Sequence, residues 1–412
     1  MRLVTELQRR LGVPTATAIG VAAMLGAGIF FVWAPAARAA GAGLLIGLAI
    51  AAVVATLNAL SSTQLAMAHP VSGGTYSYAR AELSPTAGFA AGALFLFGKT
   101  ASVAAIALVA GAYLAPGFER WVAVALVVAL SLVNASGIRS TAVVSFAIAA
   151  IVVAVIVVTL VVAGSQITEP AAWEVSGGPF GVLQAASLIF FSFAGYARIA
   201  TLGEEVREPR RTLPRAVVVA LTLVLLLSGA TAAVLLVGLG SDELARSDSP
   251  LAELAGPGWE PVVRIGAGIA CVGSLLGVLA ALSRTSLAMA RGDDLPRRLA
   301  TVSARTSTPV VADAVVAVVA IVAVLLLEPT VVIGVSACAV LGYYGIANAS
   351  AFRQAKPARW LPRALPILGV LGCAILALTA PWQAVVVVAG YLVVVLFARF
   401  LVASRRRRRA AA

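Results

Sequence analysis

Long apolar blocks separated by short polar segments dominate the chain. A block of about 20 apolar residues is long enough to cross a bilayer as a helix. Twelve blocks meet that criterion, at about residues 14–36, 42–67, 86–114, 119–135, 140–164, 182–204, 215–239, 261–290, 309–327, 330–352, 364–380 and 383–403. The pattern predicts an all-α integral membrane protein with twelve transmembrane helices in a single domain, residues 1–412.

The composition agrees with this prediction. Of the 412 residues, 61% are hydrophobic and 11% are charged, whereas about 25% of the residues in a soluble globular protein are charged. A water-soluble core has no room for so much apolar surface. The first apolar block follows MRLVTELQRR, is too long for the core of a signal peptide and lacks a small-residue cleavage site. It is therefore interpreted as a retained span.

The basic residues predict the orientation. With the N-terminus inside, 23 of the 30 Lys and Arg residues fall in cytoplasmic segments and 4 fall outside, as the positive-inside rule requires. Both termini are therefore expected in the cytoplasm, with the tail 404–412 held against anionic lipid. The net charge of +13 is spread over loops and this tail, so no nucleic-acid partner is expected.

Two glycines interrupt the first block, in LGAGIFF. Gly26 and Gly28 each weaken a helix by about 1 kcal/mol relative to alanine. Two interpretations fit this span: close packing of small residues against a neighbouring helix, or a discontinuous helix whose free N–H groups bind an anion.

The sixth block favours the second interpretation. It reads SLIFFSFAGYARIATLGEE and carries a similar interruption at residues 192–195. Blocks 1 and 6 occupy the same place in two successive sets of five, at about 14–164 and 182–352, and an odd number of spans inverts the second set. Paired interruptions in inverted repeats predict a binding site at the midplane. The two helices at about 364–403 lie outside the repeats.

Four stretches together resemble the amino acid–polyamine–organocation (APC) permeases. They are GVAAMLGAGIFF (20–31), PVSGGTYSYARAELSPTAGFAAG (70–92), FFSFAGYARIATLGEEVREPRRTLPRA (190–216) and SRTSLAMARGDDLP (283–296). Their order and spacing match that family over most of blocks 1 to 8. The resemblance implies a five-plus-five inverted-repeat fold and secondary transport of amino acids or related amines.

The resemblance also implies site residues. The substrate carboxylate is expected at the first interruption, which matches Gly26, Ala27, Gly28 and Ile29. The amine is expected at backbone carbonyls around the second interruption and at the end of the first helix, which match Phe190, Phe191, Ala194 and Met24. Gly195 is also expected to be a substrate-binding residue. The aromatic residues Phe190, Phe191 and Phe193 are expected to form a gate, unless they are core or lipid-facing bulk.

One departure from the family concerns substrate charge. Relatives that carry cations often have a carboxylate at the position of Ala197, and Arg198 follows it here. The 17 acidic residues all lie in loops or at the ends of blocks. A dry cavity with a positive charge and no carboxylate binds a cation poorly. Neutral or acidic amino acids are therefore favoured over polyamines and other organic cations, which remain the alternative.

Four charged residues are candidates for coupling or gating. Lys99 lies mid-way along the third block, where it either charges and discharges during transport or is a permanently paired structural residue. Arg198 either steers an anion or pairs structurally. Glu204 and Glu205 are interpreted as part of a network that latches the inner gate, or as a solvated helix end.

The remaining function classes fit less well. No phosphate-binding loop is present for an ATP-driven pump, no filter repeat for a channel and no polar cluster for an enzyme. No cofactor or metal is expected, and proton coupling or exchange is favoured over sodium coupling. A non-transporting sensor on the same fold and a homodimer both remain open. The Ala-, Arg- and Val-rich composition suggests a bacterial inner membrane.

Overall fold

The computed structural model describes residues 11–69, 73–136, 142–200, 202, 206–303, 306 and 308–411. Within these ranges the regular structure is helical, and β pairing is confined to two isolated bridges. The helices are α1 (Val13–Met24), α2 (Ala27–Phe31), α3 (Trp33–Ala40), α4 (Leu44–Ala68), α5 (Thr75–Glu82), α6 (Pro85–Leu114), α7 (Glu119–Ala135), α8 (Ala142–Gln166), α9 (Gly178–Phe193), α10 (Ala197–Ala200), α11 (Pro209–Arg246), α12 (Pro250–Ala255), α13 (Glu260–Arg291), α14 (Val310–Leu326), α15 (Pro329–Arg353), α16 (Ala364–Leu378) and α17 (Trp382–Ala411). Two 3₁₀ turns lie at Ala194–Tyr196 and Arg297–Ala300.

Nine helical stretches in the described part of the chain are long and apolar enough to cross a membrane. They are α4, α6, α8, α11, α13, α15 and α17, together with α1–α2 and α9–α10 taken as two stretches. The helices α7 and α14 have 17 residues each, and α16 has 15, which is short for a bilayer core about 30 Å thick. The predicted all-helical, multi-pass architecture is therefore found, and the count of twelve spans stays a prediction.

Two short helices lie in connections between the long ones. The Gly- and Pro-rich connection after α4 contains α5, which the sequence does not predict, and α5 packs against α6 and α15. Its first N–H group, that of Thr75, donates to the hydroxyl of Tyr343 at 3.1 Å. The second short helix, α12, packs against α8 and α13.

The seventh predicted block ends where α11 bends. Gly240 has a left-handed backbone (φ 75°, ψ 174°) that interrupts the helix one residue beyond the predicted boundary at 239. A Cβ atom at this position would lie 2.6 Å from the carbonyl oxygen of Ala172. Glycine is therefore required both by the backbone conformation and by the close approach of the neighbouring chain.

The helix α6 lies at the centre of the bundle, packed against α13 and α15. Around it, α1 packs against α8 and α11, α4 packs against α9 and α11, and α8 also packs against α13. The helix α17 lies at the periphery and is mostly exposed. This arrangement brings the interrupted stretches α1–α2 and α9–α10 next to each other in the interior.

Candidate functional site

The first interruption separates α1 from α2. α1 ends at Met24, Gly26 has a non-helical backbone (φ −73°, ψ −137°), and α2 begins at Ala27. Helical hydrogen bonding then continues into α3, because the N–H group of Val32 donates to the carbonyl oxygen of Gly28 at 3.1 Å. The first N–H groups of a helix have no partner within it. This end of α2 therefore presents hydrogen-bond donors.

The second interruption follows α9, which ends at Phe193 and gives way to the 3₁₀ turn Ala194–Tyr196. The carbonyl oxygen of Ala194 accepts two hydrogen bonds, from Nζ of Lys99 at 3.3 Å and from the hydroxyl of Tyr344 at 3.2 Å. A carbonyl oxygen has two lone pairs. Side chains from α6 and α15 therefore occupy both acceptor positions of this oxygen.

The two interruptions lie in direct contact. A Cβ atom at Gly195 would overlap the carbonyl oxygen of Ala23 and lie 2.7 Å from the backbone nitrogen of Met24. A Cβ atom at Gly28 would lie 2.6 Å from Cα of Ser192. Glycine at these positions therefore lets two backbones approach more closely than any side chain would permit.

Gly26 faces a third helix. A Cβ atom there would overlap the side chain of Ser274 on α13, with its Oγ atom 2.5 Å away. The hydroxyl of Ser274 also donates to the carbonyl oxygen of Ala23 at 3.5 Å. The close packing that the sequence suggested for this glycine and the break in the helix therefore occur together.

A cavity lies between the two interruptions and the helices α6 and α13. Its lining residues are Ala23, Met24, Gly26, Gly28, Phe95, Lys99, Ser102, Ile106, Phe191, Ala194, Gly195, Ala197, Arg198, Ser274, Gly277, Val278 and Ala281. The set includes eight of the predicted site residues: Met24, Gly26, Gly28, Lys99, Phe191, Ala194, Gly195 and Arg198.

Three other predicted residues lie elsewhere. Ile29 is buried, and its carbonyl oxygen accepts from Nε1 of Trp33 at 2.7 Å. Phe190 is buried edge-to-face against Tyr344, with ring centroids 6.0 Å apart. Phe193 lines a second, apolar cavity between α4 and α11.

Ala27 begins the helix α2, but its side chain is not among those that the structure describes. Of the three aromatic residues proposed as a gate, only Phe191 therefore lines the main cavity.

Both charged side chains among the described lining residues of the main cavity are basic. Lys99 is 7% exposed, and it lines the cavity together with Arg198. Among the described lining residues there is no Asp or Glu. The polar lining consists of these two cations, the hydroxyls of Ser102 and Ser274, and backbone groups. Such a surface favours an anionic group over a cationic one.

The predicted acidic latch residues, Glu204 and Glu205, lie outside the described residues. A different charge network connects α5, the end of α13 and α17. Asp294, just beyond α13, accepts from Arg80 of α5 at 2.5 Å and from Arg399 of α17. The hydroxyl of Tyr76 donates to the same carboxylate at 3.0 Å, and burial together with Asp294 raises the pKa of Tyr76 to about 12. The tyrosine therefore stays a protonated donor at neutral pH.

Comparison with known proteins identifies the family. The sequence profile described as "Amino acid permease" matches residues 11–405. This chain belongs to the amino acid permease family. The resemblance to APC permeases drawn from the four sequence stretches is thereby confirmed.

Individual relatives agree with this assignment. The chain is 47% identical over 389 residues to "Uncharacterized transporter Rv1999c" of Mycobacterium tuberculosis, covering 92% of this chain and 88% of that protein. It is 26% identical to "Branched-chain amino acid permease BcaP" of Bacillus subtilis, covering 74% and 72%. It is 28% identical to "Cationic amino acid transporter 7, chloroplastic" of Arabidopsis thaliana, covering 82% and 64%. Together with the apolar helices, these matches support a multi-pass membrane transporter with a small-molecule substrate.

Sequence reasoning missed the residues that reach the site from other helices. Ser274 and Tyr344 lie in apolar blocks where nothing in the local pattern marks them. The stretch SRTSLAMARGDDLP did carry a signal, since its acidic pair includes Asp294, but its partner Arg399 is distant in the sequence.

Proposed function

We propose that this permease is a secondary active transporter of neutral or acidic amino acids that works by alternating access, coupled to protons or by exchange. The observation that carries the proposal is the cavity between the two interruptions. It is lined by the start of α2 and by two basic side chains, with no carboxylate among its described lining residues. This is the chemistry that recognises a small carboxylate.

The beginning of α2 is the proposed site of the substrate carboxylate. Its free N–H groups and the positive end of the α2–α3 helix suit an anion. Gly26 and Gly28 both line the cavity, and glycine exposes the backbone to a ligand that a side chain would keep away. We further propose that α1–α2 and α9–α10 are each one discontinuous span that crosses the membrane.

The helix packing supports the proposed inverted repeat. In the proposed repeat, the first five long helices correspond in order to the next five: α1, α4, α6, α7 and α8 to α9, α11, α13, α14 and α15. The contact between α1 and α11 then corresponds to the contact between α9 and α4. The contact of α6 with α15 likewise corresponds to that of α13 with α8. The short helices follow the same rule, since α5 packs on α6 and α15 while α12 packs on α13 and α8.

The topology that goes with this repeat has ten core spans and two additional ones, α16 and α17. Both termini then lie on the cytoplasmic side, as the distribution of basic residues requires. A bacterial inner membrane is the proposed location, and the 47% identical relative comes from a bacterium. A homodimer stays a prediction.

The substrate charge is the point on which the relatives differ. The Bacillus relative is named for branched-chain amino acids and the Arabidopsis relatives for cationic ones. Lys99 and Arg198 both line the cavity of this chain, which has no carboxylate among its described lining residues. Burying a third positive charge beside them is therefore unfavourable. Neutral or acidic substrates therefore fit this cavity better than arginine or a polyamine.

Counterflow tests the proposal. Purified protein is reconstituted in liposomes that are preloaded with one unlabelled amino acid, and entry of the labelled form is followed for each of the twenty amino acids and for polyamines. Saturable counterflow of neutral or acidic amino acids is expected. Flux that does not saturate would indicate a channel, and binding without flux would indicate a sensor. Counterflow of only arginine or polyamines would contradict the proposed substrate class.

A further inference from the structure

The buried ammonium group of Lys99 has donors to spare. Lys99 is 7% exposed, and the hydrogen bond found for its Nζ atom among the described residues is the one to Ala194 at 3.3 Å. An ammonium group has three donors. Lys99 also lines the cavity, so two further hydrogen bonds are available to whatever occupies that space.

Among the described lining residues of the cavity, Lys99 has no carboxylate as a counter-ion. A buried charge is stable when it is paired, and Lys99 lines the cavity that a ligand would occupy. An anionic occupant would supply the missing negative charge. The neighbouring hydroxyl of Ser102 lies on the same helix one turn away and lines the same cavity.

Two of the carbonyl oxygens expected to receive a substrate amine are already engaged. The carbonyl oxygen of Ala194 accepts from both Lys99 and Tyr344, and that of Phe191 accepts from the N–H group of Ala194. An incoming ammonium group at this interruption would therefore meet occupied oxygens and a like charge. The second interruption is suited to an anion instead.

We propose that Lys99 forms an anion subsite for the side-chain carboxylate of an acidic amino acid. The inference rests on the proposed function, because it takes the α-carboxylate to lie at the start of α2. The cavity then offers one set of donors at each interruption, and glutamate or aspartate has one carboxylate for each set. Lys99 is a specificity-determining residue that selects acidic amino acids over their amides.

Isothermal titration of the purified wild-type protein with matched pairs tests this subsite. Glutamate and glutamine, like aspartate and asparagine, differ only in the group that Lys99 is proposed to contact. The wild-type protein is expected to bind each acid on the order of 100-fold more tightly than its amide, because the amide leaves a buried charge unpaired. Equal affinities within the pairs would overturn the inference while leaving the proposed function intact.

Variants of the two lysines in the chain locate the effect. Lys99→Met is expected to bring the acid-to-amide ratio close to one, whereas Lys99→Arg keeps the charge and is expected to keep the preference. Lys356→Met changes an exposed residue in the connection after α15 and is the matched control, which is expected to bind like the wild type.

Three further results would overturn the inference. One is a preference for acids that persists in Lys99→Met. The second is tight binding of arginine by the wild type. The third is failure of the folded wild-type protein to bind any amino acid, which would refute the proposed function as well. If Lys99→Met does not fold, the matched pairs measured on the wild type and on Lys99→Arg decide the question.

Discussion

The two interruptions differ in what they leave open. At the first, between Met24 and Ala27, the start of α2 presents N–H donors to the cavity. At the second, the carbonyl oxygen of Ala194 already accepts hydrogen bonds from Lys99 and Tyr344. Both interruptions therefore offer donors to a ligand, one from backbone amides and the other from a lysine. Donors at both interruptions support the proposed binding of an anionic group in this cavity.

The glycines at the interruptions differ as well. Gly195 packs against backbone atoms of Ala23 and Met24, whereas Gly26 packs against the side chain of Ser274. Backbone atoms are held by the helix to which they belong, but a side chain can be shortened by mutation. The two sites are therefore expected to respond differently to the same substitution, Gly to Ala.

Gly195→Ala is expected to have the largest effect. Its Cβ atom overlaps the carbonyl oxygen of Ala23, so the interruptions must move apart, at a cost of about 1–3 kcal/mol of unfolding free energy. Counterflow is expected to fall at least about tenfold, because a loss of about 1.4 kcal/mol of binding free energy already lowers the affinity tenfold. Gly229→Ala, which has no atom within 4 Å of its added Cβ, is the control in both thermal unfolding and counterflow. Wild-type counterflow by Gly195→Ala would show that the contact is not required.

Gly26→Ala is expected to lower the stability of the protein, and a second substitution is expected to restore it. Its added Cβ overlaps Ser274, and the next atom, the carbonyl oxygen of Ala270, is 3.7 Å away. Ser274→Gly removes the overlapping atoms, so the double variant is expected to recover stability relative to the sum of the single effects. The coupling measured in a thermal-unfolding cycle is expected to be about 1 kcal/mol. Strict additivity would mean that the two positions do not touch.

Tyr344→Phe is expected to have the smallest effect. The ring keeps its stacking with Tyr196, at a centroid separation of 4.9 Å, and stability is expected to fall by about 1 kcal/mol with the lost hydrogen bond to Ala194. The ratio of the affinity for an acidic amino acid to that for its amide, measured by titration, is expected to fall only a few-fold, because Lys99 remains.

Tyr391→Phe is the control for this variant. It removes a similar hydroxyl–carbonyl bond, from Tyr391 to Ala93 at 3.3 Å, but neither residue lines the described cavity. Its stability is expected to fall by a similar amount while the ratio stays at the wild-type value. A ratio that changes equally in both variants would place the effect outside the second interruption.

The sequence predicted the elements better than their contacts. Block lengths and glycines are local signals, and they placed Gly26, Gly28 and Gly195 at the cavity. The orientation of a side chain depends on the turn that precedes it and on its neighbours. Phe193, at the last position of α9, therefore lines the second cavity rather than the first.

Contacts between distant helices could not be predicted from one sequence. Lys99 was recognised as unusual, yet nothing in its block indicated that it binds the carbonyl oxygen of Ala194, which was itself expected to receive the substrate amine. Periodicity gives the face of a helix but not the partner that covers it. The same reason explains why Arg399 was not connected to Asp294.

Protection of an introduced thiol tests the central claim most directly. Ala281 lines the cavity, and Ala288 lies two turns further along α13, outside the described cavity lining; both residues are half-buried. The native cysteines are buried, so wild-type protein provides the blank. Ala281→Cys and Ala288→Cys are each labelled with N-ethylmaleimide, with and without saturating glutamate. Glutamate is predicted to slow labelling at position 281 and to leave the labelling rate at position 288 unchanged. If glutamate binds but protects both positions equally, or protects neither, the result would contradict a substrate site between the two interruptions.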